Sequence, residues 1–255
     1  MLNNEEEYRL MAEAEPTLWW YRTLHRLVEA SIRTYAPPHP RILDIPCGSG
    51  GLLQYLKNRG FSKTEGIDVS PTALKFCKQR NLDASEGDLR TVGSRFAEDC
   101  FDVVICNDGL YFFPLKDQVL IVNQFFKLLK PNGIVCANFP ARRIFRGSHD
   151  TQVGILRRTE SQDLVELFPS EQFQVLRLTS WPFLLSPLIL LARAIQRLRR
   201  WCGHPAQRSD VEVPAAPINF AFGTLCRIET ALIRNAPFGS SMFVVARKRS
   251  IAESA

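Results

Sequence analysis

The hydrophobic positions of this chain change period several times, and each change marks an element. Over residues 17–35, Trp20, Leu24, Leu27, Val28 and Ile32 recur at three- and four-residue spacing, with Arg22, Arg26, Glu29 and Arg33 opposite them. That is the stripe of an amphipathic helix. A helix over 4–15 precedes it and is ended by Pro16, with Thr17 as the expected cap of the second helix. Pro37, Pro38 and Pro40 then stop the second helix. Short apolar runs at 41–45, 62–67, 83–86, 101–106, 133–138 and 171–179 read as strands. Segments at 51–59, 71–80, 116–130 and 160–168 read as helices between them. Ser70-Pro71 has the form of an N-cap and first helical residue, Pro131-Asn132-Gly133 of a turn, and Thr159 with Gln162 of a capping box. Such alternation predicts an α/β fold: a doubly wound, mainly parallel sheet with helices on both faces.

The alternation breaks at 181. Ser186-Pro187 can start a helix and Gly203 can end it. Its first half, LILLA, is apolar nearly all round. Its second half sets Ala192, Ile195 and Leu198 against Arg193, Gln196, Arg197 and Arg200. A polar, Pro-rich connection at 203–217 leads to a further helix over 218–235, with Ala221, Leu225, Ile228 and Leu232 on one face. SMFVVARK at 241–248 closes the pattern as a strand. Four units result: an N-terminal helical segment over 1–40, a core over 41–180, a helical insert over 181–240, and 241–255 with the returning strand.

The chemistry concentrates in RILDIPCGSGG, residues 41–51, and in GIDVS, residues 66–70. A strand ending in Asp44 gives way to a small-residue loop and a helix, and a second strand delivers Asp68. In an open parallel sheet, ligands bind beyond the carboxyl ends of the strands. Glycines there let backbone approach a ligand closely, and Asp68 is placed to accept from both hydroxyls of a ribose. The dinucleotide fingerprint needs Gly at its first, third and sixth positions. Counted from Gly48, the sixth is Leu53. No phosphate loop is present either. Asp44 would repel a pyrophosphate but can hold an ammonium, and S-adenosylmethionine has an ammonium, a ribose and no phosphate.

On these residues the chain resembles the Rossmann-like (class I) S-adenosylmethionine-dependent methyltransferases, over about 41–180 plus 241–248. Pro46 stands where that family usually has its first loop glycine. The resemblance implies a seven-stranded sheet with an antiparallel last strand, S-adenosylmethionine as cofactor, and a set of site residues. Asp44, Pro46, Cys47, Gly48 and Gly50 would meet the methionine part, and Asp68 the ribose. Val69, Asp88 and Leu89 would meet the adenine, and Asn107 the cofactor near the reactive methyl. Tyr111 or Phe112 would cover the sulfonium, and the N-terminal helical segment over 1–40 would be a lid from which Tyr21 and Arg22 reach in. His149 and Asp108 are the candidate catalytic groups for a hydroxyl acceptor.

Composition narrows the rest. The seven cysteines form no CxxC pair and the four histidines show no ligand spacing, so thiols in a reducing cytosol and no metal are expected. The N-terminus is acidic and lacks the order of a signal peptide, giving a cytoplasmic expectation. No Asp or Glu lies between Glu171 and Asp210, while six arginines do. The helix at 187–202, about 24 Å long, is too short to span a bilayer. It suits either a cap on the acceptor pocket or peripheral contact with the inner face of a membrane through 182–202. A nucleic-acid partner is disfavoured, since no aromatics interleave the basic residues. The expected activity is methyl transfer, O-methylation first, to a small or lipid-like acceptor. The alternatives are an NAD-type oxidoreductase and a non-catalytic, membrane-peripheral binding protein.

Overall fold

Strands β1 (Ile42–Asp44), β2 (Thr64–Asp68), β3 (Ala84–Glu86), β4 (Phe101–Asn107), β5 (Leu129–Pro140), β6 (Phe173–Trp181) and β7 (Ser241–Lys248) form one sheet in the order β3-β2-β1-β4-β5-β7-β6. These coordinates are a computed structural model of the protein, and they describe residues 5–202 and 213–250. The β1 to β5 pairings are parallel, while β7 runs antiparallel to both β5 and β6. The expected doubly wound sheet with one reversed strand is therefore present. β1 and β4 form its middle, and their apolar side chains are buried on both faces, as the unbroken hydrophobic runs require.

The helices are α1 (Glu5–Ala14), α2 (Trp19–Tyr35), α3 (Gly51–Asn58), α4 (Pro71–Gln79), α5 (Leu115–Leu128), α6 (Ser148–Gln152), α7 (Asp163–Leu167), α8 (Ser186–Trp201) and α9 (Ala216–Leu232). α2 buries Leu24, Leu27, Val28 and Ile32 against Ile42, Val103, Ile134 and Val245 on one face of the sheet. α5 packs Ile121, Val122 and Phe125 on the other face. α1 lies against α4 and α9 against α2. Asn219 of α9 accepts from Trp19 N–H at 2.9 Å, and Glu229 accepts from the Phe183 and Leu184 N–H groups at 2.8 Å each. The first bond fastens α9 to α2, and the other two tie α9 to the start of the insert.

Several local expectations are corrected. Thr17 does not cap α2: the N-cap is Leu18, which makes no side-chain bond, and the Thr17 hydroxyl turns back to Ala14 O. Ser70 does cap α4, accepting from Ala73 N–H. The box at Thr159 and Gln162 is absent. Thr159 instead bridges Ala141, and Asp163 accepts from Glu160 N–H at 2.7 Å. The turn at 131–133 survives only as an irregularity inside β5. Asn132 takes φ +64°, and the register with β4 jumps from Phe101↔Leu129 to Val103↔Ile134. α6 had no counterpart in the pattern, being five residues without a periodic face. Gly203 and most of the 203–217 connection lie outside the described residues.

Candidate functional site

β1 delivers Asp44 to a cavity of about 490 Å³ beyond the carboxyl ends of the parallel strands. The loop after it turns through the cis bond Ile45-Pro46 and through Gly48 at φ +54°. Gly48 N–H donates to Asp68 Oδ2 and Ser70 N–H to Oδ1, both at 2.9 Å. A carboxylate offers about four lone-pair sites, so Asp68 retains room for two ribose hydroxyls. Asp44 is 2% exposed, and among the described residues no hydrogen bond reaches its carboxylate. Asn107 Oδ1, also at this cavity, is buried with no hydrogen-bond partner. Two buried acceptors aimed at one space call for a donor-bearing ligand.

A third acid arrives from outside the loop. Glu15, just past α1, accepts from the Ser49 hydroxyl and, at 2.9 Å, from Arg80. Arg80 also donates to Ser49 O at 2.9 Å and to Ala12 O at 3.0 Å. α1 is thereby clamped over the loop, and a Cβ at Gly51 would strike the Glu15 carboxyl. Tyr8 of α1 lies beside Asp68 and is hydrogen-bonded to Ser70; burial pushes its pKa up to about 12. Burial likewise raises the pKa of Glu15, Asp44 and Asp68. For Asp44 the nearby charges of Cys77, Glu15 and Asp68 push the same way. Such a cluster disfavours a pyrophosphate and favours a cationic ligand. These acceptors fit the ammonium and ribose hydroxyls of S-adenosylmethionine, and their charge fits its sulfonium.

The remainder of the cavity is mainly apolar, with Trp19, Trp20, Tyr111, Ile155, Ile189 and Ala192 among its walls. Asp108, at φ +53°, borders both parts. It accepts from Asn138 Nδ2 at 2.8 Å, and Asn138 Oδ1 accepts from Trp181 Nε1 at 3.0 Å. Trp181 stacks on Trp20 at 5.4 Å. Burial pushes the Asp108 carboxyl up to about 7, against the lowering effect of Asn138 and Arg158. Tyr21 is held well above its ordinary pKa by burial, with Glu15, Asp108 and Tyr111 around it.

His149 lines the cavity, but the neighbouring Asp150 points elsewhere. Asp150 forms a buried two-pronged pair with Arg158, Nε to Oδ2 at 2.6 Å and Nη2 to Oδ1 at 2.8 Å. Arg158 Nη1 also donates to Ala141 O and Ser240 O, at 3.0 and 3.1 Å.

The cavity thus brings together Tyr21, Asp44, Pro46, Cys47, Gly48, Asp68, Val69, Leu89, Asn107, Asp108, Tyr111, Phe112 and His149. Three expected residues stand apart from it. Arg22 is exposed on the outer side of α2, one position round from the inward Tyr21. Asp88 turns outward onto Arg90, accepting from its backbone N–H at 2.8 Å and from Nε at 3.1 Å. Gly50 is the left-handed N-cap of α3, at φ +84°, where a Cβ would crowd Leu82 and Cys77. Glu15, Arg80, Asn138 and Arg158 were not singled out from the sequence. Only Glu15 carries a signal, an acid at the C-terminal end of a helix, where the dipole disfavours it.

A family model described as a methyltransferase domain matches residues 42–133. YqeM of Bacillus subtilis strain 168, which bears a methyltransferase name, is 34% identical over 114 residues, 42% of this chain and 44% of that protein. A ubiquinone biosynthesis O-methyltransferase of Neisseria meningitidis is 28% identical over 133 residues, 46% of this chain and 55% of that protein. The chain thus spans about half the length of these curated relatives. A solved SAM-dependent methyltransferase from Archaeoglobus fulgidus superposes with a TM-score of 0.53 at 13% identity, over 88% of this chain and 94% of that one. The dinucleotide oxidoreductase alternative has no support in these comparisons. Residues 42–133 thus match a methyltransferase domain, and the sheet around them has the fold of the class I S-adenosylmethionine-dependent methyltransferases.

Proposed function

We propose that the protein transfers a methyl group from S-adenosylmethionine to a hydroxyl of a small or lipid-like acceptor. The observation that carries this reading is the division of the cavity into an end with the buried acids Glu15, Asp44 and Asp68 and an end walled by apolar and aromatic side chains. The bound cofactor would supply a methyl group already activated on a sulfonium. Asp44 and Asn107 would hold the ammonium, Asp68 the ribose, and Val69 and Leu89 the adenine. Alignment alone can supply roughly 7–11 kcal/mol. The ubiquinone-pathway relative, by its name an O-methyltransferase, favours a hydroxyl on an amphiphilic acceptor. Calorimetry with S-adenosylhomocysteine, with NAD as control, tests the cofactor. Labelled-methyl transfer to catechols with and without an alkyl tail tests the acceptor. Homocysteine-product binding without turnover on any acceptor would leave a binding protein.

A hydroxyl acceptor must lose a proton, and Asp108 is placed to take it. kcat/KM for such an acceptor is expected to rise with pH through about 7, where the carboxyl of the free protein ionises. Asp108→Asn should abolish that rise and slow kcat by about 10²–10⁴-fold. A rise kept in Asp108→Asn and lost in His149→Ala would assign the proton to His149.

The raised acids give a second expectation. A cation placed among them lowers their pKa values, so S-adenosylmethionine binding near neutral pH should release protons. S-adenosylhomocysteine lacks the sulfonium charge and should release fewer. Titrations in buffers of different ionisation enthalpy read the difference, and equal release would remove the sulfonium from the acidic end.

A further inference from the structure

One face of α8 is apolar and uncovered. Leu188, Leu191, Ile195 and Leu198 are between 46 and 59% exposed, Leu184 before the helix is 45% exposed, and Trp201 at its end is 85% exposed. Alternating steps of four and three residues set 184, 188, 191, 195 and 198 in one stripe. Ile189, Ala192, Arg193 and Gln196, on another side of the same helix, line the cavity. A single helix therefore separates the apolar end of the cavity from whatever covers the stripe.

Charge indicates what that is. The turn at Arg143–Phe145 sits against α8, held by Arg197, which donates to the carbonyls of Ile144 and Arg146. Arg143 and Arg146 on this turn and Arg199 on α8 are exposed, and Ile144 between them is 50% exposed. No carboxylate occurs in the sequence from 172 to 209. One carboxylate meets the turn, Glu160, which accepts from the Arg143 N–H at 3.0 Å; leucines that can enter the acyl boundary, rimmed mainly by guanidinium groups, match an anionic bilayer surface. A second copy of this face would oppose arginine to arginine.

We infer that α8 and the 143–146 turn dock on an anionic lipid surface, so that the acceptor passes from the bilayer into the cavity beside α8. The delivery half of this inference rests on the lipid-like acceptor proposed above; the docking half does not.

The test is co-sedimentation of the full chain with vesicles of phosphatidylglycerol and phosphatidylcholine, or of phosphatidylcholine alone, at low and physiological salt. Partitioning should favour the anionic vesicles by about tenfold or more and weaken as salt screens the arginines. The double variant Leu191→Asp/Leu198→Asp should lose about tenfold or more of that partitioning, with its melting temperature and S-adenosylhomocysteine affinity unchanged. No pelleting of the unaltered chain, or equal partitioning of the variant, would overturn the docking. So would a dimer in sedimentation equilibrium that the double variant dissolves. A chain that docks as expected yet binds no S-adenosylhomocysteine upholds the docking and sinks the proposed function instead.

Discussion

Asp68→Ala is expected to bind S-adenosylhomocysteine about 100-fold more weakly than the unaltered chain, or worse. Two charged hydrogen bonds to a ribose contribute roughly 1.5–3 kcal/mol each. The lower figure, summed over both, corresponds to about two decades of affinity. The variant also strips the Gly48 and Ser70 N–H groups of their partner, which loosens the loop that must meet the methionine part. Both losses act in one direction. Asp68→Asn keeps an acceptor oxygen and should fall between the two. Calorimetric titration of the three proteins, after thermal melts establish that each is folded, reads the series directly. Unchanged affinity in Asp68→Ala would take the ribose away from this carboxylate.

The largest effect on stability is expected at Arg158. Replacing it with Met keeps much of the bulk but leaves Asp150 buried without its partner. Breaking a buried pair from one side costs roughly 3–5 kcal/mol, or about 6–20 °C in melting temperature for a domain of this size. The cost should depend on pH. Burial alone would raise the Asp150 pKa, yet the two-pronged bond and charge of Arg158 hold it below its ordinary value. A depressed carboxyl stabilises the fold above its unfolded pKa, near 4, and that stabilisation is lost as pH falls through the folded value. The melting difference between Arg158→Met and the unaltered chain should therefore be full at pH 7 and shrink below pH about 4. A difference that stays constant from pH 7 to 3 would mean that packing, not the ion pair, sets the effect. Arg158 lines the cavity and faces Asp108, so the variant should also lose turnover.

The parts of this molecule that are legible in sequence are those whose partners lie close in the chain or repeat at a fixed period. Leu24, Leu27, Val28 and Ile32 declare a buried face because a helix has one period. Asp44, Gly48 and Asp68 declare a site because a parallel sheet always brings the ends of neighbouring strands together. Glu15 and Ser49 are 34 residues apart and meet only because α1 folds back over the loop. Asn138 and Trp181 are 43 apart and join through β7, which neither adjoins in sequence. Asp150 and Arg158 are only eight apart, but one sits in the five-residue α6 and the other in irregular chain, where no period predicts direction. Asp88 was misdirected for a related reason. Its position after β3 is right, but Arg90, two residues on, offers a nearer partner than the cavity does.

The placement of β7 has a consequence for how the chain is made. β5 and β6 cannot share a sheet until β7 enters between them, and the stretch from Trp181 to Ser241 must be synthesised first. At about 5–20 residues per second that interval is roughly 3–12 s. Throughout it β5, the most apolar edge of the half-built sheet, stands open to any passing strand. A nascent chain of this protein needs shelter at that edge, and a ribosome that stalls within the insert would leave behind an aggregation-prone fragment.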